Sequence, residues 1–298
     1  METMRERFAA VTSELLAADP RLAVVLADIS ADLFRPAAVR HPDRVINVGI
    51  REQLLVSTAG GLSLAGMRPI AHTFASFLVE RPFEQIKLDL NHQAAAAGAV
   101  LVSAGASYDY SDSGRTHQSP GDVALLGTLP GWTVHVPGHP DEAERQIRAA
   151  AAGDGLVYVR LSTQANTVPL DGEAGRLTML RSGRRGTVIA VGPLADAVVD
   201  ATLGFDVTVL YAATIRPLDA ATLRASLQAP DVVLAEPYLA GTSVPAVADA
   251  LHDLPHRILG LGVGRDELRR YGTPAEHQAA HGLDPRSLRD SIASFLRI

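Results

Sequence analysis

The sequence predicts an α/β protein built from parallel sheets covered by helices on both faces. Two patterns carry this. Apolar runs of strand length, such as Leu22 to Ala27 and Thr187 to Val191, alternate with helical segments along the chain, and the alternation starts twice, on either side of an aperiodic stretch. Bulk composition agrees: 298 residues, 47% hydrophobic and 20% charged, suffice for two globular domains of about 100 to 200 residues each.

In the first half a helix is expected over about 4 to 17, then strands at Leu22 to Ala27 and Val45 to Val48. A helix rich in small residues follows, from about Glu52 to Ala65. Further strands are expected at Pro69 to Thr73, Ala99 to Ser103, Thr133 to Val136 and Val157 to Leu161, with helices near 78 to 91 and 141 to 152. From about Ser162 to Arg185 no period is sustained, and Pro169, Gly172, Gly175 and the run Arg181 to Gly186 read as an interdomain connection. The expected domains are therefore 1–165 and 186–298, joined by a linker at 166–185. The second series places strands at Thr187 to Val191, Val207 to Tyr211, Val232 to Ala235 and Arg257 to Leu261, with helices near 194 to 203, 219 to 228, 244 to 252 and 285 to 296.

Composition excludes several classes of function. There are no cysteines, hence no disulfides, thiolate catalysis or cysteine-ligated metal. The net charge of −6, with basic residues scattered, offers no general attraction for nucleic acid. No apolar run approaches the roughly 20 residues that span a bilayer, so no membrane partner is expected. The N-terminal Met1 to Phe8 carries charges where a signal peptide has its apolar region, and a cytoplasmic location is expected.

The most informative segment is Ile46 to Gln53, where a strand passes through Gly49 into a helix. An acid there stands at a strand's C-terminal end, where open α/β sheets place their ligands, although the helix dipole alone also favours a glutamate at that point. Two other segments hold chemistry-bearing residues in short order. One is His72 to Ile86, with Phe74, Phe77 and Phe83; the other is Ser111 to Ser119, with His117.

Together these segments resemble the pyrimidine-binding domains of thiamine-diphosphate enzymes of the transketolase class. Gly49-Ile50-Arg51-Glu52-Gln53 is similar to the Gly-(Val/Ile/Ala)-x-Glu-(His/Gln) motif of transketolases and deoxyxylulose-phosphate synthases. The resemblance implies that Glu52 is catalytic. It would hydrogen-bond a ring nitrogen of the cofactor's aminopyrimidine and favour the tautomer that removes the thiazolium proton, with Ile50 beside the ring. The run from Thr73 to Ile86 resembles Thr-Phe-x-x-Phe-x-x-x-Arg-x-x-(Glu/Asp)-Gln-(Ile/Val), which makes Phe74 and Phe77 stacking candidates for the aminopyrimidine and leaves Phe83 and Ile86 to the core. Ser111 to Ser119 looks like the loop Gly-Glu-Asp-Gly-(Pro/Ala)-(Thr/Ser)-His-Gln. His117 would then face the reacting carbon and hydrogen-bond a developing alkoxide.

The departures from the pattern bear on substrate. Ser113 stands where the family has an Asp that reads a sugar hydroxyl, and Arg115 where Pro or Ala is usual. Arg160 matches a strand-end Arg that can reach a substrate phosphate or carboxylate, and Asp28 and Ser30 match the first strand's end at the substrate channel. Ser113, Arg115, Arg160, Asp28, Ser30 and His117 are accordingly the substrate-binding candidates.

Half of such an enzyme is missing. Gly153-Asp154-Gly155 has the look of the diphosphate motif but no Asn about 25 to 30 residues later, and it falls in the turn before a strand. No metal ligand is assigned to this chain. The resemblance therefore implies the smaller subunit of a two-subunit transketolase, assembled as a heterotetramer with a subunit that binds the diphosphate of thiamine diphosphate and Mg²⁺. It would move a two-carbon ketol unit from a ketose to an aldehyde. The alternatives are a thiamine enzyme that uses 2-oxo acids, of deoxyxylulose-phosphate-synthase or dehydrogenase beta type, and a non-catalytic scaffold.

Overall fold

A computed structural model of the chain describes residues 2–92, 98–170, 172, 175–266 and 268–298. Helix α1 (Met4–Ala18) starts at a capping box in which the Thr3 side chain and Glu6 satisfy each other's backbone donors. It buries Phe8, Val11 and Leu16 against β1 (Leu22–Leu26) and its neighbours. Next come α2 (Arg35–Arg40), β2 (Val45–Asn47), α3 (Glu52–Leu64) and β3 (Arg68–Phe74). The single helix expected near 78 to 91 is instead three pieces: a π-helical turn Ser76–Glu80, the short α4 (Phe83–Gln85) and a π-helical stretch Ile86–His92. Pro82, which lacks a backbone N–H, separates the first two and prevents a continuous α-helix.

The first series continues with β4 (Ala99–Ala104), α5 (Asp122–Leu126), β5 (Trp132–His135), α6 (Pro140–Ala152) and β6 (Leu156–Arg160). The segment expected as linker contains a strand, β7 (Thr178–Arg181), which pairs antiparallel with β9 (Thr208–Ala212). Between and after these come β8 (Thr187–Val191), α7 (Ala195–Ala201), β10 (Thr214–Arg216), α8 (Ala220–Ser226), β11 (Asp231–Leu239), α9 (Val244–Ala250), β12 (Arg257–Val263), α10 (Pro274–Ala280) and α11 (Pro285–Leu296).

Two sheets result, ordered β10-β5-β6-β4-β3-β1-β2 and β12-β11-β8-β9-β7. Both are parallel except at one edge each, β10 and β7. Strand β10 comes from the second series yet pairs with β5, so the two halves share a sheet as well as a core. Successive residues of β1 go to opposite faces: Val24 joins the cluster under α1 and α6, and Val25 joins the one that continues into Leu234 and Tyr238 of the second sheet.

Connections leave β1 toward β2 and leave β3 toward β4, so the chain reverses direction across the sheet between β1 and β3. The crevice beyond the carboxyl ends of those strands is where such folds bind ligands. Small residues bring the next layer close: at Gly60 of α3 a Cβ would stand 2.6 Å from the Asp89 carbonyl oxygen. The turn Gly153-Asp154-Gly155 precedes β6 and so lies at the amino ends of the parallel strands, opposite the end that forms this crevice.

Candidate active site

The side chain of Asn47, at the end of β2, fixes the entry to the site. Its carbonyl oxygen accepts from the N–H groups of Asp28 (3.1 Å) and Gly49 (3.0 Å), and its amide donates to the Asp28 carboxylate at 3.0 Å. The ends of β1 and β2 are thereby joined. Gly49 takes φ +71°, which turns the chain so that Glu52 becomes the first residue of α3. Glu52 is 4% exposed.

A continuous set of side chains leads away from that carboxylate. Arg81 Nη1 donates to Glu52 Oε1 at 2.8 Å, and the Arg81 guanidinium carbon lies 3.7 Å from the centroid of the Phe77 ring. The imidazole of His117 meets Phe77 edge-on at 4.9 Å between centroids and Phe74 at 5.6 Å. Phe74 and Phe77 are 5.9 Å apart, and Tyr110 packs on Phe74 at 4.6 Å. Gly105 makes room for Tyr110: a Cβ there would stand 2.3 Å from its ring. Glu52, Phe74, Phe77 and His117, widely separated in sequence, thus share one aromatic shelf with an acid at its edge.

The loop that carries His117 is fastened by the second half of the chain. Ser111 Oγ donates to the Gly272 carbonyl at 2.5 Å and Gln118 Nε2 to that of Arg270 at 3.4 Å. The Gly264 N–H donates to His281 Nδ1, which leaves His281 Nε2–H for the hydroxyl of Tyr108 at 3.1 Å. Thr116 Oγ1 sits 3.1 Å from His117 Nδ1.

Other sequence-derived candidates stand elsewhere. Arg160 does not reach a substrate: it is 1% exposed, and its Nε donates to Asp122 Oδ2 at 2.7 Å inside the protein. Burial of a strand flanked on both sides by β4 and β5 removes it from solvent, and Asp122 compensates its charge. Ser30 is likewise committed. It is 2% exposed, accepts from Arg5 Nε and donates to His72 Nε2, each at 2.8 Å, while His72 Nδ1–H donates to the Val102 carbonyl at 2.7 Å. Complete burial pushes the His72 imidazole down to about 3.

Asp28 is exposed and held by Asn47, and Ile50 is 71% exposed on the turn before α3. Ser113 is exposed, 3.5 Å from Asp112 Oδ1. Arg115 donates to the Gln118 carbonyl at 3.0 Å and lines a cavity of about 380 Å³ with Glu80 and Arg265. A second cavity, of about 300 Å³, opens beside the shelf where Tyr110 and Gly105 meet Arg5, Leu161 and Thr163.

Sequence reasoning overlooked Arg81, Asn47 and Tyr110. Arg81 had a local signal, because it falls four residues after Phe77, within one turn's reach. For Asn47 and Tyr110 the only signal is adjacency to the motifs.

Residues 1–168 match the family of the transketolase pyrimidine-binding domain. The chain belongs to this transketolase family. It is 56% identical over 293 residues to the "uncharacterized 33.6 kDa protein in fasciation locus" of Rhodococcoides fascians, covering 97% of this chain and 93% of that one. It is 28% identical to a subunit of the apulose-4-phosphate transketolase of Actinobacillus succinogenes, over 91% of each. A solved structure described as a split gene transketolase, inactive beta4 tetramer, superposes with a TM-score of 0.85 at 28% identity, covering 100% of this chain and 99% of that one. The transketolase-family chain spans less than half of the 1-deoxy-D-xylulose-5-phosphate synthases it also matches. For the enzyme of Synechococcus sp. (strain CC9605) the match is 31% identical and covers 42% of that protein.

Proposed function

We propose that this chain is the small, pyrimidine-binding subunit of a two-subunit thiamine-diphosphate enzyme that transfers a two-carbon ketol unit from a ketose to an aldehyde. The observation that supports it most is the shelf itself: a buried carboxylate at a helix start, an aromatic face and an imidazole in mutual contact. The fit to an aminopyrimidine is good in kind, since Glu52 and Phe77 already hold one flat N–H donor, the Arg81 guanidinium. The full-length likeness to a split-gene transketolase chain supports the two-subunit reading. Gly153-Asp154-Gly155 has no Asn about 25 to 30 residues later to complete a diphosphate-bound metal site. The proposal therefore assigns Mg²⁺ and the diphosphate to the partner subunit, in an assembly of two of each.

Bound thiamine diphosphate supplies a carbon nucleophile for a carbonyl and a sink for the electron pair of the broken C–C bond. The chain's own residues prepare that chemistry. Glu52, shielded from water, would share a proton with a ring nitrogen of the bound cofactor. Phe74 and Phe77 would supply the aromatic face against which the ring packs. His117, with Nδ1 at Thr116, presents Nε2 to the substrate oxygen as negative charge develops there.

The reading is tested by assaying the chain with its partner subunit on three donors separately: ketose phosphates, unphosphorylated ketoses and pyruvate. Ketol transfer from a ketose supports it. Release of carbon dioxide from pyruvate alone would replace it with the 2-oxo-acid reading, which the synthase likeness and Ser113 favour. Absence of turnover with all three, and of cofactor binding, would leave a scaffold.

A further inference from the structure

Arg81 holds the position that a flat, nitrogen-bearing ligand needs. Its guanidinium is planar, stacks on Phe77 at 3.7 Å and donates an N–H to Glu52 at 2.8 Å. Its side chain is 40% exposed whereas that of Glu52 is 6% exposed, so the arginine lies between the carboxylate and solvent. Gln53 Nε2 donates to the Arg81 carbonyl at 3.3 Å, and Pro82 follows, which anchors the backbone while the side chain stays on the open side.

We infer that Arg81 is a displaceable internal occupant of the aminopyrimidine site, and that the cofactor enters only as this side chain leaves. The inference rests on the function proposed above. Two features make the occupants exclusive. Only one flat group can lie on that face of Phe77. The guanidinium also holds Glu52 Oε1 at 2.8 Å, an oxygen that the proposed role offers to the ring. Departure is eased because the guanidinium, 40% exposed, is already partly hydrated on its outer side.

Self-occupancy reduces apparent affinity by the fraction of molecules in the open state, so an occupant held by contacts of this strength weakens cofactor binding by roughly tenfold. The test is calorimetric titration of thiamine diphosphate with Mg²⁺ into the complex of this chain with its partner subunit. Wild type is compared with Arg81→Ala and with Arg81→Gln, which keeps a short polar side chain should the alanine variant fold poorly. Both variants are expected to bind about tenfold more tightly, and stopped-flow mixing should show the gain in the association rate. Equal or weaker binding by both variants, with wild type binding normally, would overturn the inference and make Arg81 a positioning residue, leaving the proposed function standing. A wild-type complex that binds no cofactor would overturn both.

Discussion

Among the arginine–carboxylate pairs of the first half of the molecule, Arg81–Glu52 and Arg160–Asp122 differ in everything except length. Arg81 and Glu52 meet at 2.8 Å with the arginine 40% exposed, while Arg160 and Asp122 meet at 2.7 Å with both nearly inaccessible. Around the second pair the neighbours form a network on Asp122 Oδ2 and the Arg160 guanidinium. Ser103 donates to the Tyr158 hydroxyl at 2.8 Å, and Tyr158 donates in turn to Asp122 at 2.7 Å. Arg160 Nη2 donates to Ser107 Oγ at 2.7 Å, which passes the bond to the Pro237 carbonyl at 2.5 Å. That network joins the first sheet to β11 of the second. The first pair has an aromatic ring on one side and solvent on the other. Burial and the number of committed neighbours, not the charges, decide which pair is a joint and which is an exchangeable contact.

The largest effect should come from breaking the joint. Asp122→Ala leaves the Arg160 charge buried without its carboxylate and is expected to cost about 3 to 5 kcal/mol in denaturant unfolding. A loss under about 1 kcal/mol would erase the distinction between the pairs.

A buried polar group without charge sharpens the contrast. His72 is part of β3 in the same sheet, its imidazole held neutral by burial with a value pushed down to about 3 against an ordinary 6.5. Above about pH 6.5 it is neutral in both states and contributes no pH dependence. Between about pH 6.5 and 5 the unfolded chain takes up a proton that the folded chain refuses, so stability falls by about 2 kcal/mol as pH drops. Chemical unfolding at the two pH values checks this, and His72→Gln should flatten that part of the profile.

The smallest effect is expected at the exchangeable pair. Arg81→Ala should cost about 1 to 2 kcal/mol, less than Asp122→Ala, because the arginine is partly hydrated while Glu52 loses its partner at 6% exposure. Unfolding of that variant beside Asp122→Ala gives the comparison in one experiment.

The same contrast marks what the sequence made legible. Strands buried on both faces, such as Thr187 to Val191 and Leu22 to Leu26, stand out as apolar runs, and the Gly49 turn into α3 is visible in its residues. Short edge strands are not: β7 and β10 have four and three residues and pair with segments far along the chain. The motifs that bring Glu52, Phe74, Phe77 and His117 to notice also lie together in space, whereas Arg160 and Ser30, which read as substrate-binding, are buried. Their partners Asp122 and His72 are 38 and 42 residues away, a separation no local period reveals. Arg81 is in plain view within its motif, but its role depends on the plane of Phe77 and the reach of Glu52.

At the centre of the proposed function, Glu52 activates a cofactor whose other end is held by a different chain. The most direct test is the turnover of Glu52→Gln in the complex with the partner subunit, at saturating thiamine diphosphate and Mg²⁺. Turnover is expected to fall at least about a hundredfold, the usual scale for removing a group that handles the reacting proton. Turnover within a few-fold of wild type would contradict the catalytic role of Glu52.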